Sequence, residues 1–221
     1  MRVAIYYAPA PSDPLWTAAS AWLGWDAERG APVPQPYVPG IVDFTAEPRL
    51  YGFHATLKPP MRLATDYASL MDDVARLAQT IPAFSLPPLA VANLSGFLAL
   101  RETAACLPLH RLADACVTAL DPHRAPSTNA ELTRRRAAGL DAAQDANLIR
   151  WGYPHVLAAW RFHMTLTRRM APEEHATVRP AVESHLASAL ARPRVVSALT
   201  IFTQSALGAP FRIAERVALA G

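Results

Sequence analysis

The segment Phe-His-x-Thr-Leu occurs twice, at 53–57 and 162–166, and these two copies set the strongest constraint on how the chain folds. Their histidines, His54 and His163, stand 109 residues apart in a chain of 221, close to half its length. An aromatic residue precedes each histidine by three positions, Tyr51 in one copy and Trp160 in the other. The elements downstream of each copy repeat as well. After the first comes a helix predicted over 66–80, where Tyr67, Leu70, Met71, Val74, Leu77 and Ala78 form a helical apolar stripe and Asp66 caps the start. Two short apolar runs, 89–93 and 97–101, then flank Ser95-Gly96 as a hairpin. After the second copy, Pro172 opens a helix with Glu173 and Glu174 in its first turn, and Pro180 is expected to kink or interrupt it. Strands at 194–203 and 211–219 come next. Strand, helix, strand, strand in both halves predicts an α+β fold. Two similar lobes with pseudo-twofold symmetry, each an antiparallel sheet with helices, would leave a cleft between them. Residues 1–221 then form a single bilobal domain with repeat motifs at 51–58 and 160–167.

The rest of the chain reads as frame. A strand is expected at 2–8, a helix at 13–23 and a proline-rich loop at 31–39, while Pro59-Pro60 should stop the first histidine strand. Leu109, Leu112, Ala113, Cys116, Val117 and Leu120 give an amphipathic helix. Thr128 with Glu131, and Asp141 with Gln144, are capping-box pairs opening two more helices, and Gly152 and Pro154 then break the chain. Hydrophobic residues make up 52% and charged residues 18%, with a mean hydropathy of +0.10, so the composition is globular. No run approaches the ~20 apolar residues of a membrane span, and the N-terminus is too short for a signal core. The expectation is a cytoplasmic monomer with no membrane partner. A net charge of +3 with one basic cluster, Arg134-Arg135-Arg136, lacks the long stripe of a generic nucleic-acid binder. Ten residues along a helix place Cys106 and Cys116 about 80° out of register and roughly 15 Å apart, so they cannot bridge within it. Without a Cys-x-x-Cys pattern or another pair, no zinc site or disulfide framework is expected, and both cysteines read as small buried hydrophobes.

Strand alternation says what the His-x-Thr spacing does. His54 and Thr56 project from one face, as do His163 and Thr165, while Phe53, Ala55, Leu57 and Phe162, Met164, Leu166 fall on the other. One face suits a core under helices, and the other presents a base and a hydroxyl. Facing each other across a pseudo-dyad, the two strands line a cleft suited to phosphodiester chemistry. Histidine titrates near pH 6.5, so one imidazole takes a proton from water while its protonated partner donates to the leaving alkoxide. Threonine hydroxyls bond the non-bridging oxygens as charge builds. Neither motif supplies a metal ligand set, and no cofactor is expected. By parity Arg161 and Lys58 share the histidine face, although Lys58 precedes Pro59. Tyr51 and Tyr6, the latter on the first strand, complete the candidate substrate-binding set.

The two His-x-Thr-Leu segments resemble the signature of the two-histidine (2H) phosphoesterase superfamily, which includes RNA 2′,3′-cyclic phosphodiesterases, RNA end-joining enzymes and small-substrate enzymes. Tyr-Gly-Phe-His-Ala-Thr-Leu-Lys-Pro-Pro (51–60), Asp-Pro-His-Arg-Ala-Pro (121–126), Trp-Gly-Tyr-Pro (151–154) and Arg-Phe-His-Met-Thr-Leu-Thr (161–167) are similar to a branch often encoded beside phosphonate-utilisation genes. The resemblance covers most of the chain. It implies His54 and His163 as the acid–base pair, Thr56 and Thr165 as phosphate ligands, and a cyclic phosphodiester as substrate: a 2′,3′-cyclic nucleotide, an RNA 3′ end or a ribose cyclic phosphate. Two other readings use the same cleft, a non-catalytic binding module for RNA ends or phosphorylated metabolites, and an RNA-end ligase or nucleotide-sugar phosphodiesterase. His110, His123, His155, His175 and His185 lack a repeat partner and receive no catalytic role. Arg134–Arg136 reads either as a solvated helix face or as a lid over an anion.

Overall fold

A computed structural model describes all 221 residues. The chain begins with β1 (Arg2–Tyr7) and α1 (Pro14–Leu23), followed by the two-residue strands β2 (Trp25–Asp26) and β3 (Ala31–Pro32) and the single-turn helices α2 (Ile41–Phe44) and α3 (Ala46–Arg49). The first repeat supplies β4 (Ala55–Met61), α4 (Tyr67–Gln79), a short β5 (Phe84–Leu86) and the hairpin β6 (Leu89–Leu94) to β7 (Phe97–Glu102). Three helices fill the middle: α5 (Leu107–Ala119), α6 (Asn129–Arg136) and α7 (Ala142–Trp151). The second repeat then runs through β8 (Met164–Thr165), α8 (Pro172–Leu190), β9 (Arg194–Val196), β10 (Ala198–Gln204) and β11 (Arg212–Ala218).

Local chemistry accounts for most boundaries. Asp13 and Asp66 accept from backbone N–H groups two and three residues on, and both capping boxes expected at Thr128 and Asp141 form. Gly24 ends α1 and Gly152 ends α7 in the left-handed conformation. α8 carries Pro180 inside one continuous helix rather than breaking there. The second histidine strand, expected over 160–167, shrinks to two residues. Beyond them the ladder to β7 is completed by a side chain, because the Leu98 N–H donates to the Thr167 hydroxyl.

Seven strands join in one antiparallel sheet of order β11-β10-β1-β4-β8-β7-β6. The two histidine strands lie side by side at its centre, so the two lobes are wings of one sheet. The wings do not follow the sequence repeats. The first repeat's hairpin sits beside β8, and the second repeat's β10–β11 sits on the β4 side, joined through β1. Helices cross over likewise, α4 packing on β10 and β11 and α8 on β6. Each repeat thus packs its helix against strands of the other. Phe53, Ala55, Leu57, Phe162, Met164 and Leu166 are fully buried beneath the sheet, as alternation requires.

β4 departs from expectation in a way that matters for the site. It runs through Pro59-Pro60 to Met61 instead of stopping. Its pairing with β1 skips register twice, between Ile5 and Tyr6 and between Val3 and Ile5. The second irregularity takes up the prolines, which have no N–H to give a ladder. The first inserts Leu57 as an extra residue and reverses alternation beyond it. Lys58 therefore leaves the histidine face. It is buried against α5, its ammonium donating to the Val117 carbonyl at 2.9 Å and pairing with Asp121 at 3.3 Å. The parity argument that put Lys58 in the cleft fails at this bulge.

Candidate active site

The single bridge between the central strands pairs Ala55 with Met164. Continuing that antiparallel register by one residue either way sets His54 opposite Thr165 and Thr56 opposite His163. Side chains directly opposite one another stand ~5 Å apart at Cβ. Two imidazoles and two hydroxyls thus form a crossed quartet on the face away from the core. Pairing of Thr56 with Tyr6 on β1 and of Thr165 with Ala99 on β7 fixes its outer edges.

Both histidines are oriented by the same device. The His54 Nδ1–H donates to the Gly52 carbonyl at 2.9 Å, and the His163 Nδ1–H donates to the Arg161 carbonyl at 2.8 Å. A carbonyl only accepts, so each ring carries its proton on Nδ1 and keeps the Nε2 lone pair free. The Thr56 hydroxyl lies 3.3 Å from Nε2 of His54. In the first copy this bond rests on Gly52, whose φ of +73° suits glycine and where a Cβ would come within 2.9 Å of Ala27. The His54 ring stacks on Tyr6 at 3.8 Å between centroids. Burial in this stack pushes its pKa down to about 4. The bond to Gly52 works against that shift and the nearby His163 adds to it. Burial also lowers His163, opposed by the Arg161 carbonyl. Burial thus favours the neutral form of both imidazoles in the absence of an anion.

Stability should depend on pH accordingly. A folded-state histidine with a depressed pKa binds fewer protons than in the unfolded chain, so stability falls as pH drops from about 6.5 toward 4. The urea midpoint is expected to decline over that window, and inorganic phosphate, which favours imidazolium, is expected to restore part of the loss. A midpoint flat from pH 7 to 4.5 would contradict the buried, neutral state of His54.

Above the quartet opens a cavity of about 640 Å³. His54, Thr56 and Thr165 line it together with Tyr6 and Tyr51. The Tyr51 ring lies 6.3 Å from that of His54. His163 is not part of this wall. It is half-buried beside Phe97, which is, with the rings 5.9 Å apart. Arg161 lies exposed outside the cavity and serves His163 through its carbonyl, not its guanidinium. Several wall residues were not singled out from sequence: Arg2, Phe97, Tyr153, Thr167, Arg168 and Arg169. The Trp-Gly-Tyr-Pro string pointed near Tyr153, and the basic pair just beyond Thr167 was the available signal for Arg168 and Arg169. Of the basic cluster, Arg134 and Arg135 reach the cavity, whereas Arg136 turns outward to Asp145. No three His, Cys, Asp or Glu side chains are grouped closely enough to hold a metal ion. No helix is long and apolar enough to cross a membrane.

An antiparallel α+β protein whose central strands carry two histidines, one of them opening into an arginine-rich cavity, is the class that fold and site define. The chain belongs to the family described as "Protein of unknown function (DUF1045)", whose model matches residues 56–212 and so takes in Thr56, His163, Thr165 and the arginines of α6. It is 39% identical over its whole length to a protein from Janthinobacterium sp. (strain Marseille) named ribose 1,5-bisphosphate phosphokinase PhnN. It is 35% identical over 98% of its length to a protein of the same name from Laribacter hongkongensis (strain HLHK9). The chain spans about half the length of these relatives, 51% and 52%. Among solved structures, E. coli LigT complexed with 3′-AMP aligns over 100% of this chain and 98% of that one, at 14% identity and a TM-score of 0.46. A structure described as a phosphoesterase aligns over 100% and 99% at 13% identity and a TM-score of 0.44.

Proposed function

We propose that this chain is a 2H-type phosphoesterase that hydrolyses a cyclic phosphodiester with two histidines and no metal. The observation that carries the reading is the crossed quartet, in which two imidazoles held by the same carbonyl device share one face of the central strands with two threonine hydroxyls, His54, Thr56 and Thr165 opening directly into a cationic cavity. A bound phosphodiester anion raises both imidazole pKa values by charge attraction, so one is protonated in the complex. Water attacks phosphorus, the neutral histidine accepts its proton, and a P–O bond of the ring breaks. The imidazolium protonates the departing oxygen, leaving a phosphomonoester and a free hydroxyl. Thr56 and Thr165 donate to the non-bridging oxygens as charge accumulates.

The relatives' name adds a pointer to substrate class. It specifies a ribose bisphosphate, and a phosphorylated ribose fits a cavity of this size. The kinase activity in that name is not transferred, because this chain has no Gly-x-x-x-x-Gly-Lys-Ser/Thr phosphate loop. The test is a panel of 2′,3′-cyclic nucleotides, ribose cyclic phosphates and linear diesters offered to the purified protein. Turnover of a cyclic diester is expected. Tight binding without turnover across the panel would instead favour a binding module for phosphorylated ends.

A further inference from the structure

The arginines around the cavity are not all occupied. On the α8 side, Arg168 is neutralised by Asp43 and by Glu174 at 2.9 Å, and Arg169 donates to the Ser95 carbonyl. On the β1 side the balance differs. Arg2 bonds only the neutral Gln204, and neither Arg134 nor Arg135 has a carboxylate within 4 Å. Arg135 is half-buried with its guanidinium 4.7 Å above the Tyr153 ring, which positions a planar fork that has no acceptor within the protein. Arg2, Pro60, Arg134 and Arg135 also line a second, smaller chamber of about 40 Å³, so they stand at the junction of the two spaces. Arg62 and Arg124 close that chamber, each tied to a carboxylate, Glu131 and Asp121.

Position along the strands separates this cluster from the quartet. Arg2 is four residues from Tyr6 on β1, ~13 Å at the rise of an extended strand. A phosphodiester carries a single negative charge, and the quartet's hydroxyls meet it. Two or three guanidiniums without a carboxylate partner a further step away are surplus to that need, and the Arg135 fork, held on Tyr153 at the wall of both spaces, is placed to take up an anion.

Building on the phosphoesterase reading, we infer that Arg135, with Arg134 and Arg2, forms a second anion subsite that binds a phosphomonoester carried on the same small molecule as the cyclic diester. The small chamber, about 40 Å³ against about 640 Å³ for the main cavity, suits a compact terminal group better than a continuing polynucleotide. The substrate class is thus a phosphorylated sugar or nucleoside cyclic phosphate, with its two phosphorus atoms on the order of 10 Å apart or less.

Matched substrates test this: a nucleoside 2′,3′-cyclic phosphate and a ribose cyclic phosphate, each with and without a phosphate on C5. In the wild type the added phosphate is expected to raise kcat/KM by roughly 10- to 100-fold, mainly through KM. In Arg135→Gln and Arg134→Gln that ratio should fall toward one, with Arg135→Lys intermediate because it keeps the charge and loses the fork. Calorimetry with ribose 5-phosphate and with inorganic phosphate supplies a readout independent of turnover. The wild type should bind the sugar phosphate more tightly, and either glutamine variant should lose roughly tenfold or more. A ratio near one in the wild type, or equal sugar-phosphate affinity in wild type and both variants, overturns the subsite while the phosphoesterase reading stands. Absence of turnover with retained, Arg135-dependent sugar-phosphate binding would overturn that reading and keep the subsite. Glutamine at the exposed Arg134 keeps the test decisive if the half-buried Arg135 variant folds poorly.

Discussion

Alanine at His54 or at His163 is expected to cut kcat/KM for a cyclic phosphodiester by two to four orders of magnitude, the range for a general acid or base. The geometry makes the two losses similar, because each ring is held by the carbonyl two residues before it and faces a threonine across the β4–β8 bridge. Groups acting on one proton cycle are not additive, so the double variant should lie within roughly tenfold of the weaker single variant. His54 packs on Tyr6, and alanine there leaves a hole. His54→Gln keeps most of the volume and separates packing from proton transfer. Steady-state rates on the best substrate of the panel, with unfolding midpoints as control, check this. Wild-type turnover in His54→Gln or in His163→Ala would remove that histidine from the mechanism.

How far the sequence revealed this site depended on whether the cue was local. The faces of both histidine strands followed from alternation, because Phe53, Ala55 and Leu57 must be buried together and His54 and Thr56 must then oppose them. Caps at Asp66, Thr128 and Asp141 were readable because a cap is a three-residue event. The exchange of hairpins between wings was not, since it is decided by contacts a hundred residues apart. Lys58 was misplaced because alternation holds only in unbroken ladders, and the bulge at Leu57 depends on the partner strand as much as on the prolines. Arg134 and Arg135 stayed ambiguous for a further reason. α6 buries no residue, so it has no apolar stripe to say which side meets the protein.

The same bulge sets up the largest expected stability effect. Lys58 is the only lysine in the chain, and its ammonium is buried between β4 and α5 with the Val117 carbonyl and Asp121 as partners. Asp121→Ala leaves that charge buried without a counter-ion and also strips Arg124 of its carboxylate, at a cost of about 3–5 kcal/mol. In a chain of this size that lowers the unfolding midpoint by roughly 6–20 °C. Adding Lys58→Met in the Asp121→Ala background should recover most of the loss, because an apolar side chain of similar length needs no partner there. The pH dependence carries a further signature. Burial, opposed by Asp121, holds Lys58 down at about 8 against an ordinary value of 10.5. Between those limits the unfolded chain binds the extra proton, so stability rises with pH from about 8 to 10.5. Urea titrations at pH 7.5 and 10 should show this rise in the wild type and not in Lys58→Met. The pair also clamps β4 to α5 two residues beyond Thr56, so loosening it should reach the quartet. Asp121→Ala is therefore expected to lose turnover as well as stability, and Lys58→Met should restore stability more fully than rate. Equal midpoints for Asp121→Ala and wild type would mean the lysine reaches solvent and does not anchor the strand.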